Sequence, residues 1–562
     1  MTTPDIPGAA LPPGLPDPAA LARLAGEFFA APPGSGAPAI GGVPVPATVQ
    51  PAGLSLPPGA SGPATPAAQP TGLPPGVNLV PTSPQSVGVL GATAPKLVPN
   101  ATAPNGVPDH ALEAAPAYDG RLGSHLLGLP RVPEFYFVEQ AARREPVVPA
   151  VPAEAHPPFD VDAVRRDFPI LQERVNGRQL VWFDNAATTH KPQAVIDRLA
   201  HFYAHENSNI HRAAHELAAR ATDAYENARE IVRRFIGAGS TDEIVFVRGT
   251  TEAINLVAKS WGARKVGAGD EIVVSHLEHH ANIVPWQQLA AEKGATLRVI
   301  PVDDSGQVIL SEYEKLLNGR TRIVSVTQVS NALGTVVPVR EIVEIARRRG
   351  ITTLVDGAQS VSHLRVDVQA LGTDFFVFSG HKIFGPTGIG VLYGRREVLE
   401  DMPPWQGGGN MIADVTFEKT VYHGPPTRFE AGTGNIADAV GLGAALEYVE
   451  RIGIEAIGRY EHALLDYATA RMKPIPGVRL VGTARDKASV LSFVLDGHGT
   501  GEVGQALDRE GIAVRTGHHC AQPILRRFGL ETTVRPSLAF YNTREEVDRL
   551  VAVVRRLAGT RR

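Results

Sequence analysis

Asp374-Phe375-Phe376-Val377-Phe378-Ser379-Gly380-His381-Lys382 is apolar for four residues and then turns abruptly polar. A run of that length with such a break reads as a buried strand whose carboxyl end delivers polar side chains into a crevice. Thr352-Thr353-Leu354-Val355 repeats the pattern upstream and ends in Asp356-Gly357-Ala358-Gln359. Working outward, further strands are predicted at 243–247, 271–275, 296–302, 322–327 and 389–392. Helical periodicity falls between most of them, as at 214–235 and 338–349. Alternation of this kind implies a large, mostly parallel sheet covered on both faces. After about residue 435 the pattern changes to a long helical stretch, a strand at 489–495, and helices flanking a loop around residue 520, which reads as a small α+β domain. Gly385, Gly388 and Gly390 lead into a strand and not a helix, so they do not form a dinucleotide loop.

The chemistry lies at the strand ends. Lys382 at one exit and Asp356 at another are the two groups that pyridoxal phosphate needs most, an amine for a Schiff base and a carboxylate for the pyridinium nitrogen. The run 243–247 feeds Arg248-Gly249-Thr250-Thr251-Glu252, where a Gly turn and two threonines open a helix. Free N–H groups there favour a phosphate, although the same residues would cap an ordinary helix. Past the strand at 271–275 comes Ser275-His276-Leu277-Glu278-His279-His280-Ala281-Asn282, in which His279 is placed to stack on a planar ring or move a proton. Cys520, the single cysteine, sits in Arg515-Thr516-Gly517-His518-His519-Cys520-Ala521. A thiol beside Arg and His is a candidate nucleophile, and a buried small hydrophobe is the competing reading. The histidine spacing matches no zinc motif, and no metal site is expected.

These motifs, together with Phe183-Asp184-Asn185-Ala186-Ala187-Thr188-Thr189 and Asn209-Ile210-His211-Arg212, resemble the SufS-type, or group II, cysteine desulfurases among the fold-type-I pyridoxal phosphate enzymes. The resemblance covers about 159 to 557, and the short His-His-Cys loop marks the SufS side of the family. It implies a homodimer that converts L-cysteine to L-alanine and leaves a persulfide on Cys520 for an acceptor protein or thiol, as in iron–sulfur cluster assembly. It further implies that Lys382 carries the cofactor and moves the Cα proton. Asp356 would meet the ring nitrogen, Gln359 the ring hydroxyl and His279 the ring face. Thr251, Ser379 and His381 would hold the phosphate, with Thr433 reaching over from the second subunit. Asn331, Arg535, Arg515 and His211 would bind substrate. Gly434 and Pro536 depart from the residues usual at their positions. Selenocysteine lyase, a β-lyase releasing sulfide, and a shell-associated binding protein with a vestigial site are the alternatives.

Composition divides the chain into 1–158, 159–434 and 435–562. The first part holds 33 of the 47 prolines and one lysine, Lys96. Such a segment cannot bury enough apolar surface to offset chain entropy, so it is expected to be a disordered Pro/Ala/Gly-rich leader. Two islands stand out as docking motifs: 18–29, with Leu21, Leu24 and Phe28 on one helical face, and the aromatic run 132–138. A leader of this kind resembles that of the desulfurase cargo of family 2 encapsulins, which implies packaging inside a protein shell. Net charge of −4 gives no reason to invoke nucleic acid, and no apolar run spans a membrane or serves as a signal peptide, so a cytoplasmic enzyme is expected.

Overall fold

The computed structural model describes residues 159–211 and 215–560. The leader 1–158 and its two islands, and Arg212, lie outside the described residues.

Strand β1 is Val181–Trp182, β2 Ile244–Val247, β3 Glu271–Ser275, β4 Thr296–Ile300, β5 Thr321–Thr327, β6 Thr352–Asp356, β7 Phe375–Ser379 and β8 Gly390–Gly394. Seven of these form one sheet in the order β2-β8-β7-β6-β5-β3-β4. From β7 to β4 every pairing is parallel; β8 alone runs antiparallel, between β2 and β7. Strands β2, β3, β7 and β8 are buried at every residue, the signature of a sheet covered on both faces and the reason the sequence shows apolar runs there instead of alternation. Each expected strand is present within a few residues.

The helices that matter here are α1 Gln193–His205, α2 Glu216–Phe235, α3 Thr250–Val257, α4 Val284–Lys293, α5 Val339–Arg348, α6 Ile436–Ile452 and α7 Ile454–Met472. The amphipathic α2 buries Ala221, Tyr225, Ala228 and Val232, while its basic last turn, Arg233 and Arg234, suits the helix dipole. Helix α6 is apolar on nearly all sides because it lies against both α1 and α2. The long helical stretch expected after 435 is therefore two helices broken at Gly453, which adopts φ 93°.

An exposed hairpin follows the large sheet, β9 Ile412–Val415 and β10 Thr420–Tyr422. The smaller sheet contains β11 Val478–Val481 and β12 Ser492–Leu495, then β14 Arg515–Gly517 and β15 Thr533–Arg535, in the antiparallel order β11-β12-β15-β14. Between them β13, Ile512–Ala513, pairs in parallel with β1. Sequence reading expects helices around the cysteine loop; the segment directly before it is instead β14, a polar strand with no apolar run to reveal it. The pairing of β1 with β13 brings residues 181–189 beside the Cys520 loop.

Candidate active site

The carboxyl ends of β5, β6 and β7 and the turn after β3 open on a cavity of about 270 Å3. Asp356 ends β6, deep in the protein, and its Oδ1 accepts from Ala358 N at 2.8 Å. Burial raises its pKa, against the pull of that N–H and of Lys382. Lys382 follows β7 by three residues. Burial above all lowers its pKa to about 8, with Asp356 opposing. A buried acid and a half-buried amine on one cavity wall suit a ligand that takes up both.

At the far end, α3 begins after Gly249 at φ 155° without a side-chain cap. Thr250 N donates to Ser379 Oγ at 2.9 Å, and a Cβ on Gly249 would stand 3.1 Å from that oxygen. The uncapped helix start, Thr251, Ser379 and His381 form an anion cradle on the same cavity. His381 is held neutral, its pKa lowered to about 4 by burial, then by Lys382 and Lys191.

His279 leads out of the turn after β3, and its pKa is lowered to about 3 by burial, then by Lys382, His280 and Arg535. Its Nδ1 accepts from Ala281 N at 3.0 Å, which assigns the ring proton to Nε2. Gln359 Nε2 donates to Ala186 O at 2.6 Å.

The opposite wall is built on β14 and β15, where Arg515 and Arg535 are direct cross-strand partners. Two like charges so placed repel. Asp184 offsets this by pairing with Arg515 Nη2 at 2.8 Å and Arg535 Nη2 at 3.1 Å. Arg535 Nη1 also donates to Asn331 O at 2.9 Å, and Asn331 Nδ2 to His519 O at 2.6 Å. Arg535 Nε and Asn331 Oδ1 remain buried without a partner. Unsatisfied buried polar atoms cost roughly 1–3 kcal/mol each, so their persistence beside the cavity marks a site completed by a ligand that offers an acceptor, such as a carboxylate, to Arg535 Nε and a donor to Asn331 Oδ1.

Cys520 is exposed at the mouth, and its carbonyl accepts from His280 N at 2.8 Å. A thiolate at this position would raise the pKa of both Lys382 and Arg535.

A buried acid, an amine at the adjacent strand end, a neutral histidine on the cavity wall and an anion cradle together fit pyridoxal phosphate. The sequence-predicted residues line this one cavity except two. Thr433 borders a separate cavity of about 700 Å3 with Tyr225 and Glu430. His211 is bonded through Nε2 to Glu226 at 2.8 Å. Sequence reasoning gave no role to Asp184 or His519, although both lie in quoted motifs. Their contacts are tertiary: Asp184 meets Arg535, 351 positions away, and His519 Nε2 meets Thr533 Oγ1 on the next strand at 2.8 Å.

Residues 181–550 match the aminotransferase class-V family. The chain is 74% identical over 399 residues to a cysteine desulfurase of Synechococcus elongatus, covering 71% of this chain and 64% of that protein. It is 61% identical over 494 residues to a probable cysteine desulfurase of Mycolicibacterium paratuberculosis, covering 87% of this chain and 70% of the relative. That second match is longer than 159–562 and so runs into the residues before 159. The solved apo structure of a cysteine desulfurase from Thermococcus onnurineus superposes with a TM-score of 0.68 at 40% identity, covering 71% of this chain and 98% of that one.

Proposed function

The chain belongs to the cysteine desulfurases of the class-V aminotransferase family, and from that premise we propose that it converts L-cysteine to L-alanine and places the sulfur on Cys520 as a persulfide. The observation that carries this reading is the single cavity lined by Lys382, Asp356, His279, Arg535 and Cys520. The family depends on pyridoxal phosphate. Asp356 would hold its ring nitrogen, Gln359 its hydroxyl, and Thr251, Ser379 and His381 its phosphate. When bound, the cofactor supplies an electron sink for the charge left at the substrate Cα.

This chain's residues do the rest. Arg535, with Asn331 and Arg515, orients the substrate carboxylate, fixing which bonds face the reactive groups. Lys382 Nζ, neutral above about pH 8, takes the Cα proton. Neutral His279 can donate from Nε2 but holds no charge to compete with the amine. Cys520 Sγ attacks the substrate sulfur, so that an S–S bond forms as the Cβ–S bond breaks. The sum is L-cysteine plus Cys520 thiol giving L-alanine plus Cys520 persulfide. The short His518-His519-Cys520 loop supports the SufS-type branch.

Thr433, away from its own protomer's cavity, supports a homodimer in which it completes the partner's phosphate site, with His211 near the substrate entrance. The hairpin β9–β10 exposes Val415, Val421, Tyr422 and a fully exposed Phe417, an apolar edge suited to a second copy. Residues 159–434 would form the cofactor-binding domain and 435–562 the small domain, with α6 packed back onto α1 and α2. Composition supports 1–158 as a docking leader, which we propose serves an encapsulin-type shell in the cytoplasm. An absorption spectrum for the cofactor, followed by alanine and sulfide assays with cysteine and selenocysteine, tests the function. Sulfide without a protein persulfide would favour the β-lyase, and turnover of selenocysteine alone the selenocysteine lyase.

A further inference from the structure

Glu278 has no part in the chemistry above, yet it is fully buried directly beside His279. Its carboxylate receives three donors: Ser275 Oγ at 2.5 Å, Asn282 Nδ2 at 2.6 Å and Thr327 N at 3.1 Å. The donors' other bonds fix these directions. Ser275 Oγ accepts from Leu277 N, so its own proton is free to point at Glu278. Asn282 Oδ1 takes Trp286 Nε1 at 2.9 Å and Ser325 Oγ at 2.5 Å, so the amide cannot turn around. Burial, then Asp356, pushes the carboxyl up to about 8 while the three donors pull down. A neutral Glu278 has one acceptor among these contacts, the second lone pair of Ser275 Oγ, while Asn282 Nδ2 and Thr327 N can only donate to it.

The three donors come from three places that shape the site. Ser275 ends β3, Asn282 lies in the short turn 280–282 that follows His279, and Thr327 ends β5 in register with Asp356 on β6. We infer that Glu278 is a positioning residue, a buried carboxyl strut that holds His279 and the Asp356-bearing strand ends in fixed relation. This rests on the proposed reading of the cavity as a pyridoxal phosphate site.

Glu278→Gln in the full chain keeps the side-chain volume but turns an N–H toward a donor. Cofactor affinity is measured by equilibrium dialysis, the absorption band of the bound cofactor by spectroscopy, and kcat and KM for cysteine separately. The expected result is a kcat lowered roughly 10- to 100-fold, as for a small misplacement of reacting groups. Cofactor should bind more weakly with a displaced band, while KM moves little because Arg535 and Asn331 are untouched. Asn282→Ala, which removes one donor, should show the same signature, and the double variant should be less than additive. If Glu278→Gln fails to fold, Asn282→Ala decides alone. Parental kcat and cofactor affinity in the folded variants, or a change confined to KM, overturns the inference. A parent chain that binds no cofactor overturns the site reading and the inference with it.

Discussion

Cys520 and the preceding His519 both adopt φ 53°, a left-handed conformation that costs a non-glycine residue roughly 1–2 kcal/mol. The strain is held by bonds around it: Cys520 N to His518 Nδ1 at 3.0 Å, Asn331 Nδ2 to His519 O, and His519 Nε2 to Thr533 Oγ1. The loop therefore presents the thiol at a set place. Asp184 governs the facing wall, and Asp184→Asn leaves Arg515 opposite Arg535 with weaker compensation. Steady-state kinetics should show KM for cysteine raised roughly tenfold, about 1.4 kcal/mol of lost substrate binding, with kcat less affected. An unchanged KM would remove the carboxylate role from this pair. A pH dependence follows from Lys382, whose depressed pKa makes the reactive neutral amine appear as pH rises through about 8. The rate of cofactor attachment to the stripped full chain should rise through that range, and His279, with its pKa near 3, should add no limb at neutral pH. A flat profile would contradict the assignment. Lys382, Asp356 and Cys520 were legible in the sequence because each ends an apolar run or stands alone of its kind. Asp184 and Glu278 were not, because they act on other side chains, and Asp184 meets Arg535 across 351 positions.

At the scale of elements, the strand ends are aligned by β8, which wedges antiparallel between β2 and β7. Its first residue allows the approach: a Cβ on Gly390 would stand 2.5 Å from Gly249 Cα and 2.6 Å from Phe378 O. Gly390→Ala must push β8 away from the phosphate turn, so chemical denaturation should show a loss of about 1–3 kcal/mol, the usual cost of overpacking. Cofactor affinity should fall in parallel, and a variant with parental stability would show that the close approach is unimportant. The seven sheet strands were readable since strands buried on both faces are continuous apolar runs. Strand β14 is a half-exposed Arg-Thr-Gly, and its pairing with β15 is set by tertiary contact across the intervening helix, so local pattern could not reveal it.

For the whole molecule, every lining residue of the cavity among the described residues falls between Ala186 and Arg535. Deleting 1–158 should leave cysteine desulfuration within about twofold, because a proline-rich segment adds little core. Co-sedimentation with a co-expressed shell protein should be lost on the same deletion and weakened by Leu24→Ser with Phe28→Ser, since apolar anchors supply docking energy. Equal sedimentation of full-length and truncated chains would remove the docking role. The proposed function stands or falls on the passage of sulfur from cysteine to Cys520. Mass spectrometry of the peptide bearing Cys520, after one turnover with L-cysteine and without reductant, reads that step. One added sulfur atom on Cys520 and an equivalent of L-alanine are expected, with Cys520→Ala still binding cofactor but forming alanine orders of magnitude more slowly. Unmodified Cys520 with sulfide released, and Cys520→Ala as active as the parent, would contradict it.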